Sequence, residues 1–135
     1  PPHRRTATPA ALGGAARRAR RRAYARYSHY AVGAAVLTVD GKIFVGANVE
    51  NASYGLSMCA ERTAIFAAVA AGHRRVRTVA VATGSRKPAS PCGACRQVMA
   101  EFGVETVYLA GPRGPPREWR FRALLPDAFT AADLR

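Results

Sequence analysis

The sequence has few acidic residues and almost no lysine. Eight Asp and Glu face 21 Lys and Arg, which gives a formal net charge of +13, yet Lys42 and Lys87 are its only lysines. A charge of this size suggests contact with nucleic acid. However, Arg, Ala, Gly and Pro are all abundant, as a GC-rich coding sequence would produce, and the one dense basic run, Arg17 to Arg22, lies in an alanine-rich stretch. We interpret that run as the solvated face of a helix and expect no nucleic-acid partner.

Long apolar runs are also missing. The longest run, Ala64 to Ala71, is far shorter than the ~18 residues that a membrane helix needs. The basic N-terminal residues contain no apolar core, so they do not resemble a secretory signal. We therefore expect a cytoplasmic protein without a membrane partner. The 135 residues suit one domain, residues 1–135, in which residues 1–9 form a flexible tail.

Cysteine is scarce, and its few positions are informative. The sequence holds Cys59, Cys92 and Cys95. An odd number of cysteines without an export signal argues against a disulfide framework. The last two form a C-x-x-C pair, for which redox chemistry, metal binding and inert buried thiols are the open interpretations.

Hydrophobic patterning predicts helices that alternate with strands. Asp40-Gly41 favours a hairpin turn with positive φ, and Gly72 and Gly103 are placed to end helices. This order predicts an α/β protein, a three-layer α/β/α sandwich around a mixed sheet of about five strands. The predicted elements are a helix over about 10–24, strands over 32–39 and 42–48, a helix over 58–71, a strand over 75–83, a helix over 92–102, strands over 104–110 and 118–121, and a C-terminal segment with a short helix.

The three cysteines fall at the starts of two predicted helices. Cys92 and Cys95 are three residues apart and share one helix face, while Cys59 begins another helix. If the two helix ends adjoin, three thiolates surround one point. Three protein ligands with one open position are typical of catalytic zinc, whereas structural zinc sites are usually closed by four ligands.

Two neighbours of Cys59 can support such a centre. Three thiolates leave excess negative charge, which the helix N-termini and Arg62, one turn after Cys59, can offset. Glu61 lies in the first helical turn, where it can reach a metal-bound water and carry protons if its pKa is raised. Considered alone, Arg62 would be a surface arginine and Glu61 a residue that stabilises the helix dipole.

Four segments carry a family resemblance. They read "YSHYAVGAAV", "NVENASYGLSMCAERTA", "SPCGACRQV" and "LLPDAF", and they span about Tyr27 to Phe129 in that order. Together they resemble the small homotetrameric zinc-dependent cytidine deaminases of nucleoside salvage. The resemblance implies a cytidine deaminase-like fold, a homotetramer whose active sites are completed by neighbouring subunits, and one Zn²⁺ per chain. It assigns the zinc to the three cysteines, Cys59, Cys92 and Cys95.

The resemblance also implies the reaction and its residues. Cytidine and 2′-deoxycytidine would be hydrolysed to uridine and 2′-deoxyuridine with release of ammonia, and Glu61 would move the protons. Asn48 and Glu50 would bind the ribose 3′-hydroxyl, although without the resemblance they would be a strand-end cap and a solvated loop acid. Tyr30 stands where many relatives stack a Phe on the pyrimidine. The remaining implied substrate contacts are Ala60, together with Tyr54 and Phe129 at contacts between subunits.

Three other functions stay open at this point. The chain could deaminate another cytosine nucleoside, such as an antibiotic, but the intact "NVEN" favours a simple ribose or deoxyribose. It could edit cytosine in RNA or DNA through its arginine run, but it is short and lacks an added strand-binding segment. It could be a non-enzymatic zinc module, against which the missing fourth ligand and the position of Glu61 both argue.

Overall fold

The computed structural model describes residues 7–135. Of the predicted tail, residues 1–6 lie outside the described part, while Thr8 caps the first helix and Pro9 begins it. Single 3₁₀ turns lie at Tyr54–Leu56 and Ala131–Leu134. The helices and strands, in chain order, are α1 (Pro9–Arg20), β1 (Val32–Thr38), β2 (Ile43–Ala47), α2 (Ala60–Ala70), β3 (Val76–Thr83), α3 (Gly93–Glu101), β4 (Thr106–Ala110), β5 (Arg117–Arg120) and α4 (Phe121–Leu124).

The five strands form one mixed sheet in the order β2-β1-β3-β4-β5. β1 pairs antiparallel with both β2 and β3, and β5 pairs antiparallel with β4. β3 and β4 are parallel, and α3 makes the crossover between them. The predicted mixed five-stranded sheet is confirmed. Within the described residues, no helix is both long enough and apolar enough to cross a bilayer.

The two faces of the sheet carry separate cores. Successive residues of β1 point to opposite faces, so Val36 packs with Ile65 of α2 and Met99 of α3. Leu37 points the other way and packs with Leu12 of α1. The helices therefore form layers on both sides of the sheet, as the predicted sandwich requires.

Two glycines let the helices lie directly against the sheet. A Cβ at Gly33 of β1 would lie 2.0 Å from the carbonyl oxygen of Ala16 in α1. A Cβ at Gly46 of β2 would lie 2.5 Å from the amide nitrogen of Ala64 in α2. Because real Cβ atoms do not approach backbone this closely, any side chain at either position would push a helix off its face of the sheet.

Glycines mark several ends of the helices and strands. Gly72 and Gly103 have φ of 97° and 80° directly after α2 and α3, which confirms them as helix stops. In the β1–β2 hairpin, Gly41 has φ of 88°. The predicted end of the first helix near Tyr24 is wrong. The amide of Tyr24 instead donates to the carbonyl of Asn48, so the chain leaves the helix to reach the β2 side.

The arginine run is also less solvated than we predicted. Arg17 donates to the carbonyls of Gly111 and Gly114 at 2.9 and 2.7 Å. Arg20 donates to the carbonyl of Ala31 at 2.8 Å. Two arginines of this run therefore join α1 to segments next to the ends of β1 and β4, and only the others remain for solvent or a partner.

Candidate active site

Three thiols meet where α2 and α3 begin. Cys59 is the N-cap residue of α2, Cys92 is the N-cap residue of α3, and Cys95 is buried one turn into α3. All three sulfur atoms lie within 4.8 Å of one another, and the Cys59 and Cys92 sulfurs are 3.8 Å apart. The convergence that the spacing predicts is therefore present.

The arrangement fits zinc. Zinc bound to thiolates at about 2.3 Å in tetrahedral geometry sets its sulfurs about 3.8 Å apart, which is the separation between Cys59 and Cys92. Within residues 7–135, these cysteines form the one group of three or more potential metal ligands whose ligand atoms lie close together. Both helix N-termini point at the site, and their partial positive charge favours the thiolate form. Cys59, Cys92 and Cys95 could thus hold one zinc ion and leave a fourth position open.

Positive charge reaches the thiols from Arg62. Its Nη2 donates to the sulfur of Cys59 at 3.4 Å. Hydrogen bonds from Cys95 and from Arg62 hold the pKa of Cys59 below its usual value. The Nε of Arg62 is buried and finds no hydrogen-bond partner in residues 7–135. Arg62 is therefore a partly buried arginine whose guanidinium lies against the sulfur cluster.

Glu61 is a buried acid beside the same cluster. It lies in the first turn of α2, and only 5% of its surface is exposed. Burial, together with the negative charge of Cys59, raises the pKa of Glu61 to about 6. A carboxyl group with this pKa can take up and release a proton near neutral pH, which is what a general acid–base group must do.

A cavity of about 260 Å³ opens in front of the cysteines. Seven residues that we proposed from the sequence line it: Tyr30, Asn48, Glu50, Cys59, Ala60, Glu61 and Cys92. They come from the segment before β1, the end of β2 and two helix starts. The other lining residues are Ser28, Val32, Val81, Thr83, Ala89 and Ser90.

The polar residues at the mouth of the cavity hold one another. The side-chain amide of Asn48 accepts from the amide of Val32 and donates to the carbonyl of Tyr30, both at 2.8 Å. The Glu50 carboxylate accepts from the backbone amides of Tyr27 and Ser28 and from the Ser28 hydroxyl. The Ser28 hydroxyl and these amides hold the pKa of Glu50 below its usual value.

Two of the proposed substrate contacts lie outside this cavity, and Cys95 and Arg62 stand behind its lining. Tyr54 is 75% exposed and lines a neighbouring cavity that shares Ser28 and Glu50 with the first. Phe129 is 58% exposed and lines a different cavity beside Glu101. A single chain therefore does not bring these two rings to the thiols.

Ser28 is a site residue that the sequence analysis missed. It lines the cavity and touches both Glu50 and Tyr30 through its hydroxyl. The available signal was its place between Tyr27 and Tyr30 in "YSHY", a polar residue inside one of the four segments that carry the resemblance.

Comparison with known proteins identifies the family. The model of the family described as "Cytidine and deoxycytidylate deaminase zinc-binding region" matches residues 10–111. The chain belongs to this family. Its curated relatives include a cytidine deaminase of Halalkalibacterium halodurans, 52% identical over 118 residues that make up 86% of this chain and 89% of that protein.

Solved structures of cytidine deaminases share the fold. The cytidine deaminase of Burkholderia pseudomallei superposes with a TM-score of 0.85 at 53% identity and covers 90% of this chain and 99% of that one. The enzyme of Mycobacterium tuberculosis gives a TM-score of 0.75 at 44% identity, over 87% of this chain and 94% of that one. The cytidine deaminase-like fold that we predicted is therefore confirmed.

Proposed function

We propose that this cytidine deaminase family member hydrolyses cytidine and 2′-deoxycytidine to uridine and 2′-deoxyuridine, with release of ammonia, in pyrimidine salvage. The observation that carries the proposal is the cavity in which buried Glu61 adjoins the thiol cluster and faces Asn48 and Glu50. A metal-binding cluster, an acid with a pKa near neutrality and a polar sugar-sized rim are the parts that this reaction needs.

The metal centre would be formed by Cys59, Cys92 and Cys95, with one Zn²⁺ per chain. When bound, zinc would supply a water whose pKa is lowered from ~15.7 toward ~7. Arg62 would offset part of the excess negative charge of three thiolates, because it donates to the Cys59 sulfur. Its role is thus electrostatic, and it does not touch the substrate.

Glu61 would carry the protons. It accepts one from the attacking water and delivers it to N3 of the cytosine, which makes C4 more electrophilic. It then transfers the second proton of that water to the amino group, which leaves as ammonia. The water oxygen becomes the carbonyl of the uracil, and Glu61 returns to its starting state. A carboxyl with a pKa of about 6 can perform both the uptake and the release.

The rim residues would select the nucleoside. The Asn48 amide keeps one N–H free of its two backbone contacts, and the Glu50 carboxylate is an ionised acceptor, so both can bind the 3′-hydroxyl. This hydroxyl occurs in cytidine and in deoxycytidine, which explains why both are proposed as substrates. Tyr30 would stack on the base and Ala60 would contact it.

Exposed apolar side chains are available for the subunit contacts of the homotetramer that the resemblance implies, which we propose here. Tyr54, Leu56, Phe129 and Leu134 are between 58% and 78% exposed. Such residues are expected at contacts between subunits, and this would let Tyr54 and Phe129 complete a neighbour's site. We further propose that the tetramer works in the cytoplasm.

A substrate assay with metal analysis on the same sample tests this function. The purified protein is incubated with cytidine, deoxycytidine and a short cytosine-containing oligonucleotide, and ammonia and uracil products are followed. We expect turnover of both nucleosides, no change in the oligonucleotide, and one zinc per chain. Turnover of the oligonucleotide without turnover of free nucleosides would contradict the proposal.

A further inference from the structure

The Ser28 hydroxyl sits between two groups that line the cavity. It donates a short hydrogen bond to the Glu50 carboxylate, and it accepts from the backbone amide of Tyr30 at 3.0 Å. One hydroxyl group can do both, since it has one proton to donate and two lone pairs to accept with. The same atom therefore holds both the carboxylate of one cavity-lining residue and the backbone of another.

We infer that Ser28 is a positioning residue that holds the Glu50 carboxylate and the Tyr30 ring at the mutual distance a single nucleoside requires. The inference rests on the proposed function, in which Glu50 binds the sugar and Tyr30 stacks on the base. Ser28 acts through these two groups and is given no contact with the reacting atoms.

The hydrogen-bond pattern separates this role from one in folding. Glu50 keeps two backbone donors, the amides of Tyr27 and Ser28, when the hydroxyl is removed. The amide of Tyr30, in contrast, makes no other hydrogen bond in the described part of the chain. Loss of the hydroxyl should therefore loosen the Tyr30 backbone and one carboxylate oxygen while the loop stays attached to the end of β2.

The neighbouring contacts make this arrangement specific to the cavity. Asn48 already ties the carbonyl of Tyr30 and the amide of Val32 to the end of β2. Ser28 adds the tie at the amide of Tyr30 and the only side-chain donor to Glu50 in residues 7–135. Together the two side chains frame Tyr30 from both sides, and removing Ser28 leaves it held from one side.

The test compares Ser28→Thr with Ser28→Val. Thr and Val have nearly the same shape, and only Thr keeps a hydroxyl, so any packing effect is common to both. We expect Ser28→Val to raise KM for cytidine by about tenfold, which corresponds to one hydrogen bond to a charged group. We expect kcat to change much less and Ser28→Thr to stay near the wild type. Ser28→Ala serves as a third variant if the branched side chains do not fit.

The second arm uses 3′-deoxycytidine, which lacks the hydroxyl assigned to Glu50. For this substrate the loss caused by Ser28→Val should be clearly smaller than for cytidine. Thr8→Ala is the matched control, because it also removes a hydroxyl that accepts from a backbone amide, here that of Ala11, far from the cavity. This variant should keep the wild-type KM for both substrates.

The outcomes are distinguishable. If the wild-type protein does not deaminate cytidine, the proposed function fails. If it does, but Ser28→Val and Ser28→Ala keep the wild-type KM, the function stands and the positioning role is overturned. Equal losses in Ser28→Thr and Ser28→Val, or equal losses with cytidine and 3′-deoxycytidine, would also overturn it, because the effect would then not depend on the hydroxyl or on the sugar contact.

Discussion

The two faces of the sheet use similar parts for different ends. On each face a helix lies against a glycine of the sheet, α1 at Gly33 and α2 at Gly46. Each helix also carries a partly buried arginine that donates hydrogen bonds to other parts of the protein. Arg17 on α1 binds backbone carbonyls, whereas Arg62 on α2 binds a sulfur of the thiol cluster. The two arginines therefore differ in their acceptors. Arg17 holds loops to a helix, whereas Arg62 places positive charge beside the thiols.

The helices on the two faces also differ in the acidic residues of their first turns. The first turn of α1 contains no acidic residue, while the first turn of α2 contains Glu61. A glutamate at a helix N-terminus is ordinarily stabilised as an anion. Burial and the charge of Cys59 reverse this preference and raise the pKa of Glu61 to about 6. The face that holds the site thus has a glutamate at a common position, the first turn of a helix, with an unusually high pKa.

The largest expected effect is the loss of a thiol. Cys92→Ala removes one of the three sulfurs and leaves two, which is too few for a stable zinc site of this kind. We expect zinc content near zero. The loss of activity should exceed about hundredfold, the upper range seen when a residue that supports a metal ligand is changed. Zinc per chain and turnover of cytidine are measured on one sample. Full zinc content in this variant would show that another residue ligates.

A smaller effect is expected from the two glycines, and it separates the faces directly. Gly46→Ala pushes on the backbone of α2 between Ala60 and Ala64, beside Glu61. Because misplacement by about 1 Å can cost about hundredfold in rate, we expect a loss of that order in the folded protein. Gly33→Ala pushes on α1 instead, so its cost should fall on stability, by about 3 kcal/mol or more.

Thermal unfolding and kcat/KM of both glycine variants provide the measurement. If folded Gly33→Ala protein lost as much activity as Gly46→Ala protein, the two faces would not have the different roles that we assign to them.

The smallest expected effect concerns the two arginines. Arg62→Ala leaves the charge of the thiol cluster less balanced and should reduce zinc affinity or activity by about tenfold. Arg17→Ala removes two hydrogen bonds to carbonyls and should lower the free energy of unfolding by about 1–3 kcal/mol without changing activity. Zinc titration and urea unfolding of both variants test this. An Arg62→Ala protein with unchanged zinc affinity and activity would make Arg62 structural as well.

Much of the fold could be predicted because local signals marked it. Apolar, β-prone runs predict the strands, and Gly72 and Gly103 mark helix ends that the structure confirms. The end of α1 could not be predicted, because Ala and Arg favour helix beyond Arg20 and nothing local opposes them. The stop comes from a distant hydrogen bond between Tyr24 and Asn48. A contact of this kind is visible only once the sheet has formed.

The site also has a part that local sequence predicts and a part that depends on distant contacts. Cysteine spacing at two helix starts predicts the thiol cluster, since helix geometry alone brings Cys92 and Cys95 to one face. The tie that Ser28 makes to Glu50 spans 22 residues and depends on how the chain folds back onto β2. Tyr54 and Phe129 do not reach the cavity within one chain, so their assigned roles stay predictions that require neighbouring subunits.

The central claim is that Glu61 moves protons beside a zinc centre that it does not hold together. Glu61→Gln keeps the size of the side chain and removes its proton transfer. The most direct measurement is kcat for cytidine together with zinc per chain, both taken on the same preparation of this variant. We expect one zinc per chain and a loss of about 10²–10⁴-fold in kcat. Near-wild-type kcat with full zinc, or loss of zinc together with activity, would contradict the central claim.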